Sequence, residues 1–236
     1  MTPGTLYGLG VGPGDPEWVP VKTVRILSAC RHVFVPKARA AADSLALDIA
    51  RVYLRPDADI HELTFPMSSD SVVLDASWRQ AAEAVCHRLE QGHDAAFLTL
   101  GDPLLYSTYI YLLRSVRKLM PEIDVVTVPG ITAFSAAAAL AHFPVGKGKQ
   151  LVTIVPASDD LDKFQQALDR GGTVILMKIA DRLQRVLDIL QSRRLLGSGV
   201  FVARAGMPEQ RVETDLTKLR DTEPEAGYLS ILIVQV

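Results

Sequence analysis

The sequence predicts two α/β domains, and three observations support this prediction. Short runs rich in Val, Ile and Leu alternate with segments of helical period, which is typical of parallel α/β architecture. Several of these runs end in a turn that contains glycine and proline. The 236 residues, 48% of them apolar, are enough to bury two cores of about 100 to 130 residues each.

The first domain is predicted over residues 1–129, with five strands and four helices. The strand segments are rich in β-branched residues, and the helical segments end near turn signals such as Gly92 and Pro121. We expect strands at 5–11, 32–35, 59–65, 95–100 and 123–128, and helices at 21–29, 44–53, 72–91 and 106–120.

The second domain is predicted over residues 130–236. We expect helices at 132–141, 161–170 and 182–193, and strands at 151–155, 173–177, 199–204, 211–214 and 228–236. Only the short segment 216–220 separates the last two strands, so we expect a mixed sheet that ends in a hairpin. Ligands of α/β proteins bind at the carboxyl ends of strands, and we expect the active site there, in the cleft between the domains.

Composition argues against several classes of protein. A net charge of −2 does not favour a nucleic-acid binder, and no apolar run approaches the roughly 20 residues of a membrane span. The amino terminus does not resemble a signal peptide, which predicts a cytoplasmic protein. Cys30 and Cys86 are expected to be buried free thiols. The five histidines do not show metal-ligand spacing, so we expect no metal site.

The stretch LYGLGVGPGDPEW, residues 6–18, raises the question of a nucleotide loop. A dinucleotide motif, G-x-G-x-x-G, fails in both registers, because its third glycine falls on Pro13 or on Asp15. A phosphate loop fails because neither Gly-Lys pair precedes Ser or Thr. A nicotinamide-dependent oxidoreductase is therefore disfavoured, although it stays open as an alternative. The stretch could also be an ordinary turn at the end of a strand.

Two further glycine turns follow predicted strands, TLGDPLLYST at 99–108 and TVPGITAFSAAAALA at 127–141. Gly101 would let a ligand approach the backbone, and Asp102 can accept hydrogen bonds. Ser107 or Thr108 could cap the next helix. If the sheet is parallel, these turns and the opening loop surround one site.

With these turns, the chain resembles the tetrapyrrole (corrin/porphyrin) methyltransferases that use S-adenosylmethionine. The resemblance covers nearly the whole chain: GLGVGPGDPEW, GDPLLYST, VPGIT, ILMK at 175–178 and ARAGMPEQRVETDL at 203–216. Within the family, GDPLLYST and VGPGDPEW look most like the C20-methyltransferases of precorrin-2 or cobalt-factor II in cobalamin biosynthesis. One departure is WVPVKTVRIL, where Pro20 and Thr23 replace the family's usual Thr and Ala.

The resemblance implies that S-adenosylmethionine is the methyl donor, released as S-adenosylhomocysteine, and that the protein is a homodimer. It implies that the donor is bound by Leu100, Gly101, Asp102, Leu105, Thr132, Ala133, Met177 and Gly206. It places the opening loop on the tetrapyrrole side, with Gly12 giving clearance for a flat substrate beside Pro13.

The implied substrate carries many carboxylates, which favours basic residues around it. Candidates are Lys37, Arg39, Lys147 and Lys149, while Asp15 could contact a pyrrole N–H or simply stabilise its turn. Tyr106 is a weak candidate for orienting the substrate or accepting a proton, and a packed tyrosine is the competing interpretation. Other acceptors within the same fold, namely another ring carbon, a ribosomal RNA ribose or a modified histidine, stay open. A non-catalytic binding module is a further alternative.

Overall fold

The computed structural model describes residues 2–37, 44–65, 70–220 and 227–236. The chain divides into two compact units, the first extending to Thr132 and the second beginning at Ala133. Each unit contains one five-stranded sheet. Among the described residues, no helix is both long enough and apolar enough to span a bilayer.

The first unit contains a wholly parallel sheet, with helices between its strands. The sheet order is β3-β2-β4-β1-β5, and the strands are β1 (Leu6–Gly10), β2 (His32–Lys37), β3 (Asp59–Thr64), β4 (Ala95–Thr99) and β5 (Val125–Val128). The helices are α1 (Val21–Ala29), α2 (Leu45–Ala50), α3 (Ser71–Glu90) and α4 (Tyr109–Leu119). All five predicted strands are confirmed, and α1 begins at Val21 in spite of the unusual Pro20.

Both faces of this sheet are buried, as a parallel sheet requires. Leu6 and Phe97 lie in a core cluster with side chains of α3 and α4. Leu9 and Leu98, an odd number of positions further along the same strands, lie in the opposite cluster with side chains of α1 and α2. The alternation explains why β4 is buried at every position.

Local capping explains where the two long helices begin. The carboxylate of Asp70 accepts a hydrogen bond from the Val72 N–H at the start of α3. The fourth helix begins at Tyr109, later than the predicted start at 106, because Tyr106 has a left-handed backbone with φ of 52°. Ser107 Oγ accepts a hydrogen bond from the Tyr109 N–H at 3.0 Å, so Ser107 supplies the predicted cap.

The second unit contains a mixed sheet with order β6-β7-β10-β8-β9. Its elements are α5 (Ala133–Leu140), β6 (Val152–Pro156), α6 (Asp162–Arg170), β7 (Thr173–Met177), α7 (Leu183–Ser192), β8 (Gly199–Ala203), β9 (Arg211–Glu213) and β10 (Ser230–Gln235). The mixed sheet is confirmed.

The predicted terminal hairpin is wrong. Strand β9 pairs with β8, whereas β10 lies between β7 and β8 and is antiparallel to both. The physical reason is burial: β10 is buried at five of its six positions and belongs at the centre of the sheet. The short β9 is partly exposed throughout and takes the edge.

Both cysteines are free and buried, as predicted. Burial raises the pKa of the Cys30 thiol and of the Cys86 thiol to about 11. The two thiols are therefore protonated at neutral pH and belong to the core of the first unit.

Candidate active site at the strand ends

Three loops leave the carboxyl ends of neighbouring strands in the first unit. They follow β4, β1 and β5, which lie side by side in that order and run parallel. The prediction that these loops share one edge of a parallel sheet is therefore confirmed. In α/β proteins this edge is where ligands bind.

Three glycines of the opening stretch each have their own structural reason. A Cβ on Gly8 would lie 2.1 Å from the ring of Tyr109, which packs across β1. A Cβ on Gly10 would lie 2.5 Å from the backbone nitrogen of Gly130. Gly12 instead has a left-handed φ of 77°, and the nearest atom to its missing Cβ belongs to Trp18 at 3.5 Å. A Cβ at Gly12 would therefore point toward Trp18 and meet it at ordinary van der Waals distance.

The opening loop and the β4 loop are joined by an isolated antiparallel bridge between Gly12 and Gly101. The Gly101 N–H donates to the Gly12 carbonyl at 2.8 Å, and the Gly12 N–H donates to the Gly101 carbonyl at 3.3 Å. Gly101 has a φ of 71°, and the nearest atom to its missing Cβ is the Ile131 carbonyl oxygen at 3.9 Å. The side of Gly101 where a Cβ would point therefore has room for a further atom, which would make one ordinary van der Waals contact.

The third loop is held against the second by a carboxylate. Asp102 Oδ2 accepts a hydrogen bond from the Gly130 N–H at 3.1 Å, and Oδ1 accepts one from the Leu104 N–H at 2.9 Å. A Cβ on Gly130 would lie only 2.0 Å from the Gly101 carbonyl oxygen, so the two backbones are in direct contact. Gly101, Asp102 and Gly130 thus form one rigid junction.

The remaining predicted donor-site residues of the first unit border this junction in the sequence. Leu100 and Leu105 are half-buried, as is Thr132. The side chain of Tyr106 is 40% exposed, and its left-handed backbone is uncommon for an aromatic residue. Exposed aromatic surface and half-buried leucines are features that a ligand could cover.

The predicted substrate residues of the first unit have local partners. Asp15 Oδ1 accepts a hydrogen bond from the Glu17 N–H at 2.9 Å, which is the turn-stabilising arrangement. Lys37 Nζ lies 2.8 Å from Glu62 Oε2 and is largely buried. Pro13 is buried. Arg39 lies outside the described residues.

In the second unit, strained backbone gathers at one end of the sheet. Lys178 and Ala180 follow β7 and have φ values of 58° and 50°. Arg204, directly after β8, has a φ of 50°, and its N–H donates to the carbonyl of Leu229, which has a φ of 51°. Non-glycine residues pay a steric penalty in this conformation, and such residues cluster at functional sites.

Two predicted donor-site residues lie at this strained end. Met177 is the last residue of β7 and is half-buried. Gly206 has a φ of 78°, and its N–H donates to Gln210 Oε1 at 2.8 Å. The third predicted residue of this unit, Ala133, is instead the first residue of α5.

Lys147 and Lys149 lie on the exposed segment between α5 and β6. Within the described part of the chain, neither ammonium group has an ion-pair partner. These two lysines could therefore meet an anionic ligand without first breaking a salt bridge.

Sequence reasoning missed the strained backbone of Lys178, Ala180, Arg204 and Leu229. Their residue types do not signal a left-handed conformation, which tertiary packing imposes. It also missed the Thr99 hydroxyl, which is buried before the β4 loop and has no hydrogen-bond partner within the described residues.

The chain was compared with known proteins. A sequence profile of the tetrapyrrole (corrin/porphyrin) methylases matches residues 5–220. A cobalt-precorrin-2 C(20)-methyltransferase of Salmonella typhimurium is 33% identical, with 98% of this chain and 96% of that protein covered. A precorrin-2 C(20)-methyltransferase of Sinorhizobium sp. is 28% identical, with 98% and 95% covered.

A solved structure shows the same fold. The crystal structure of a cobalt precorrin-4 methyltransferase superimposes with a TM-score of 0.72 at 18% identity, covering 98% of this chain and 94% of that one. The glycine junction, the strand-end loops and the profile match lead to one conclusion. The chain belongs to the tetrapyrrole (corrin/porphyrin) methylase family.

Proposed function

We propose that the protein transfers a methyl group from S-adenosylmethionine to C20 of precorrin-2 or of cobalt-factor II in cobalamin biosynthesis. The observation that carries this proposal is similarity over nearly the full length to two C20-methyltransferases, one named for cobalt-precorrin-2 and one for precorrin-2. The higher identity is to the one named for cobalt-precorrin-2, 33% against 28%. The strand-end loops described above supply the site.

The first unit fits a methyl donor because of the chemistry of its loops. A donor with a sulfonium and no phosphate requires no helix amino terminus beneath it, and in the short 3-10 helix after β1 the Glu17 N–H already donates to Asp15. It does require backbone that a ligand can approach closely. Gly101, buried and with room on its Cβ side, provides this, and half-buried Leu100 and Leu105 provide apolar surface beside it.

We assign the remaining donor contacts to Asp102 and Thr132 in the first unit and to Ala133, Met177 and Gly206 in the second. Asp102 acts mainly by fixing the Gly101 and Gly130 backbones, since both of its oxygens accept backbone hydrogen bonds. Met177 offers a polarisable, half-buried side chain. Gly206 presents backbone held by Gln210.

When bound, the sulfonium supplies an activated methyl group and a good leaving group. The contribution of the chain is then to align donor and acceptor in a water-excluded site, an orientation effect of up to about 7–11 kcal/mol in favourable models. The rigid Gly101–Asp102–Gly130 junction suits this task because it fixes the backbone before any ligand binds. Tyr106 is the candidate for orienting the ring or receiving its proton, and no other catalytic residue is assigned.

We assign the substrate carboxylates to basic side chains, first of all to Lys147 and Lys149. Both are exposed, whereas Lys37 would have to leave Glu62. Gly12, Pro13, Asp15 and Arg39 are retained as proposed substrate residues of the first unit. For Gly12 the contribution is to the shape of the loop, because its left-handed φ of 77° favours glycine and its Cβ side faces Trp18.

The lysine assignment has a direct test. Replacing both Lys147 and Lys149 with Ala should weaken tetrapyrrole binding and leave S-adenosylhomocysteine binding unchanged in calorimetry. A matched control replaces Lys118 and Lys163, two exposed helical lysines, with Ala. Equal tetrapyrrole affinity in both double variants would remove Lys147 and Lys149 from the substrate site.

The proposed function itself is tested by mass spectrometry. The protein is incubated with S-adenosylmethionine and, separately, with precorrin-2 and cobalt-factor II. We expect one ring to gain one methyl group, located at C20 by NMR. A methyl group at another carbon would indicate another member of the family. No methyl transfer to either ring, in a protein that binds S-adenosylhomocysteine, would overturn the proposal.

We also propose that the protein acts as a homodimer, as the family resemblance implies. Light scattering coupled to gel filtration gives its mass directly. A single species at the mass of one chain would contradict this proposal.

A further inference from the structure

A second cluster of chemically active side chains lies at the opposite edge of the first sheet, at the amino ends of β2 and β3. His32 and Asp59 are the first residues of these strands, and the parallel register pairs them directly. His61 lies two residues after Asp59, so both side chains emerge on the same face of β3. The sheet register therefore brings an imidazole, a carboxylate and a second imidazole together.

The three possible ligand atoms of this cluster lie at nearly equal distances from one another. His32 Nδ1 lies 3.2 Å from His61 Nε2, and Asp59 Oδ2 lies 3.3 Å from each of these nitrogens. A tetrahedral ion with ligand bonds of about 2.0–2.1 Å has ligand atoms about 3.3–3.4 Å apart. The cluster thus has the dimensions of one face of such a tetrahedron before any ion binds.

The surroundings hold these side chains in place. The His61 ring stacks on Phe34, with centroids 4.5 Å apart and an interplanar angle of 21°. The His32 residue is 6% exposed and its ring lies against the ring of His93 at 5.2 Å. The Asp59 side chain is 45% exposed, so an ion and a water ligand can reach the cluster from solvent.

The surroundings of this cluster disfavour the protonated form of both imidazoles. The largest cause is burial, which lowers the pKa of His32 and of His61. Arg88 lowers both further, while Asp59 opposes the shift. Without an ion, the two ring nitrogens lie within hydrogen-bond distance of each other, and one N–H serves that contact. A cation in place of this proton would be shared by both nitrogens and by Asp59.

We propose that His32, Asp59 and His61 form a binding site for a divalent transition-metal ion of the Zn²⁺ type, with water as the fourth ligand. Two imidazoles and one carboxylate are ligands that Zn²⁺ and Co²⁺ accept. The ion would tie the edge strand β3 to β2. The site lies at the other edge of the sheet from the strand-end loops, so it does not depend on the proposed methyl transfer.

The test uses the untagged protein and two probes, Zn²⁺ followed by calorimetry and Co²⁺ followed by its visible absorption. His61→Gln and Asp59→Asn each remove one ligand at a partly exposed position, while His87→Gln is a matched control on the exposed face of α3. We expect one ion per chain in the wild type and the control, and intensified Co²⁺ bands of four-coordination. Affinity should fall by about 10-fold or more in either variant, since even outer-sphere partners contribute that much.

Circular dichroism shows whether each variant is folded, and either folded variant suffices. The proposal is overturned if the wild type binds neither ion in a one-to-one ratio. It is equally overturned if a folded His61→Gln or Asp59→Asn variant binds as tightly as His87→Gln.

Discussion

The two units shape the ends of their strands by different means. In the first unit, glycines allow the loops after β1, β4 and β5 to touch, as at Gly10, Gly101 and Gly130. In the second unit, Ala180 and Arg204 follow strands in a left-handed conformation without being glycine. At these positions the first arrangement relieves a steric conflict and the second retains one, while Tyr106 in the β4 loop is an exception within the first unit.

This difference shows that the strand ends of the first unit are rigid at the glycine junction, whereas those of the second unit are strained. The glycine junction is close-packed, so an added methyl group must displace backbone. The left-handed non-glycine residues carry a steric cost that glycine would not carry. Substitutions at these positions should therefore have opposite signs: adding a Cβ at the glycine junction destabilises the first unit, and removing one at a left-handed residue does not destabilise the second.

The largest expected effect belongs to Gly130→Ala. The new Cβ would lie 2.0 Å from the Gly101 carbonyl oxygen, and the overpacking should lower the free energy of unfolding by about 3 kcal/mol. Both cysteines lie in the first unit, so labelling of the Cys30 and Cys86 thiols reports its opening. Labelling should be faster in this variant.

The matched control for Gly130 is Gly197→Ala, where nothing lies within 4 Å of the added Cβ. This variant should be unchanged or more stable by up to about 1 kcal/mol, since alanine restricts the unfolded chain. Equal stability of the two variants in urea would refute the close-packed junction.

An intermediate effect is expected for Asp102→Asn. The amide keeps one acceptor oxygen and places an NH₂ group against a backbone N–H, so one of the two contacts to Gly130 and Leu104 is lost. Urea unfolding should show a loss of about 1.5–3 kcal/mol, the range for hydrogen bonds to charged groups. A loss below the error of the measurement would mean that the carboxylate does not hold the loops together.

The smallest effect, and the one of opposite sign, is expected for Ala180→Gly. In an ordinary position this change costs about 0.5–1 kcal/mol. Here relief of the left-handed backbone should offset that cost, so thermal unfolding should show no loss or a gain of up to about 1 kcal/mol. Ala139→Gly on the exposed face of α5 is the control and should lose about 1 kcal/mol. Equal losses in both variants would contradict the comparison.

Much of the fold follows from the sequence because the residue types show which positions are buried and with what period they recur. The parallel sheet of the first unit was predictable because its strands are apolar runs between helical segments. The central position of β10 was not predictable, because the apolar character of a run shows that a strand is buried but does not identify the strands beside it. Because β10 lies between β7 and β8, β9 pairs with β8 and not with β10.

The candidate site was predictable only in part, and the glycines show why. The motif identifies Gly101 and Gly130 but does not distinguish room beside the first from backbone contact at the second. Gly12 illustrates the same limit, since the motif does not show that its Cβ side faces Trp18. The cluster of His32, Asp59 and His61 was missed because it depends on strand register across β2 and β3.

The most direct test of the central claim, that the strand-end loops hold the methyl donor, is a calorimetric titration with S-adenosylhomocysteine. Wild type and Gly101→Ala are compared with Gly171→Ala, because Gly171 has nearly the same φ, 73° against 71°, and nothing within 4 Å of its missing Cβ. Filling the space at Gly101 should weaken binding by about tenfold or more, the equivalent of an overpacking cost above about 1.4 kcal/mol. Gly171→Ala should bind like the wild type. Undiminished binding in folded Gly101→Ala, or no binding to the wild type, would contradict the account.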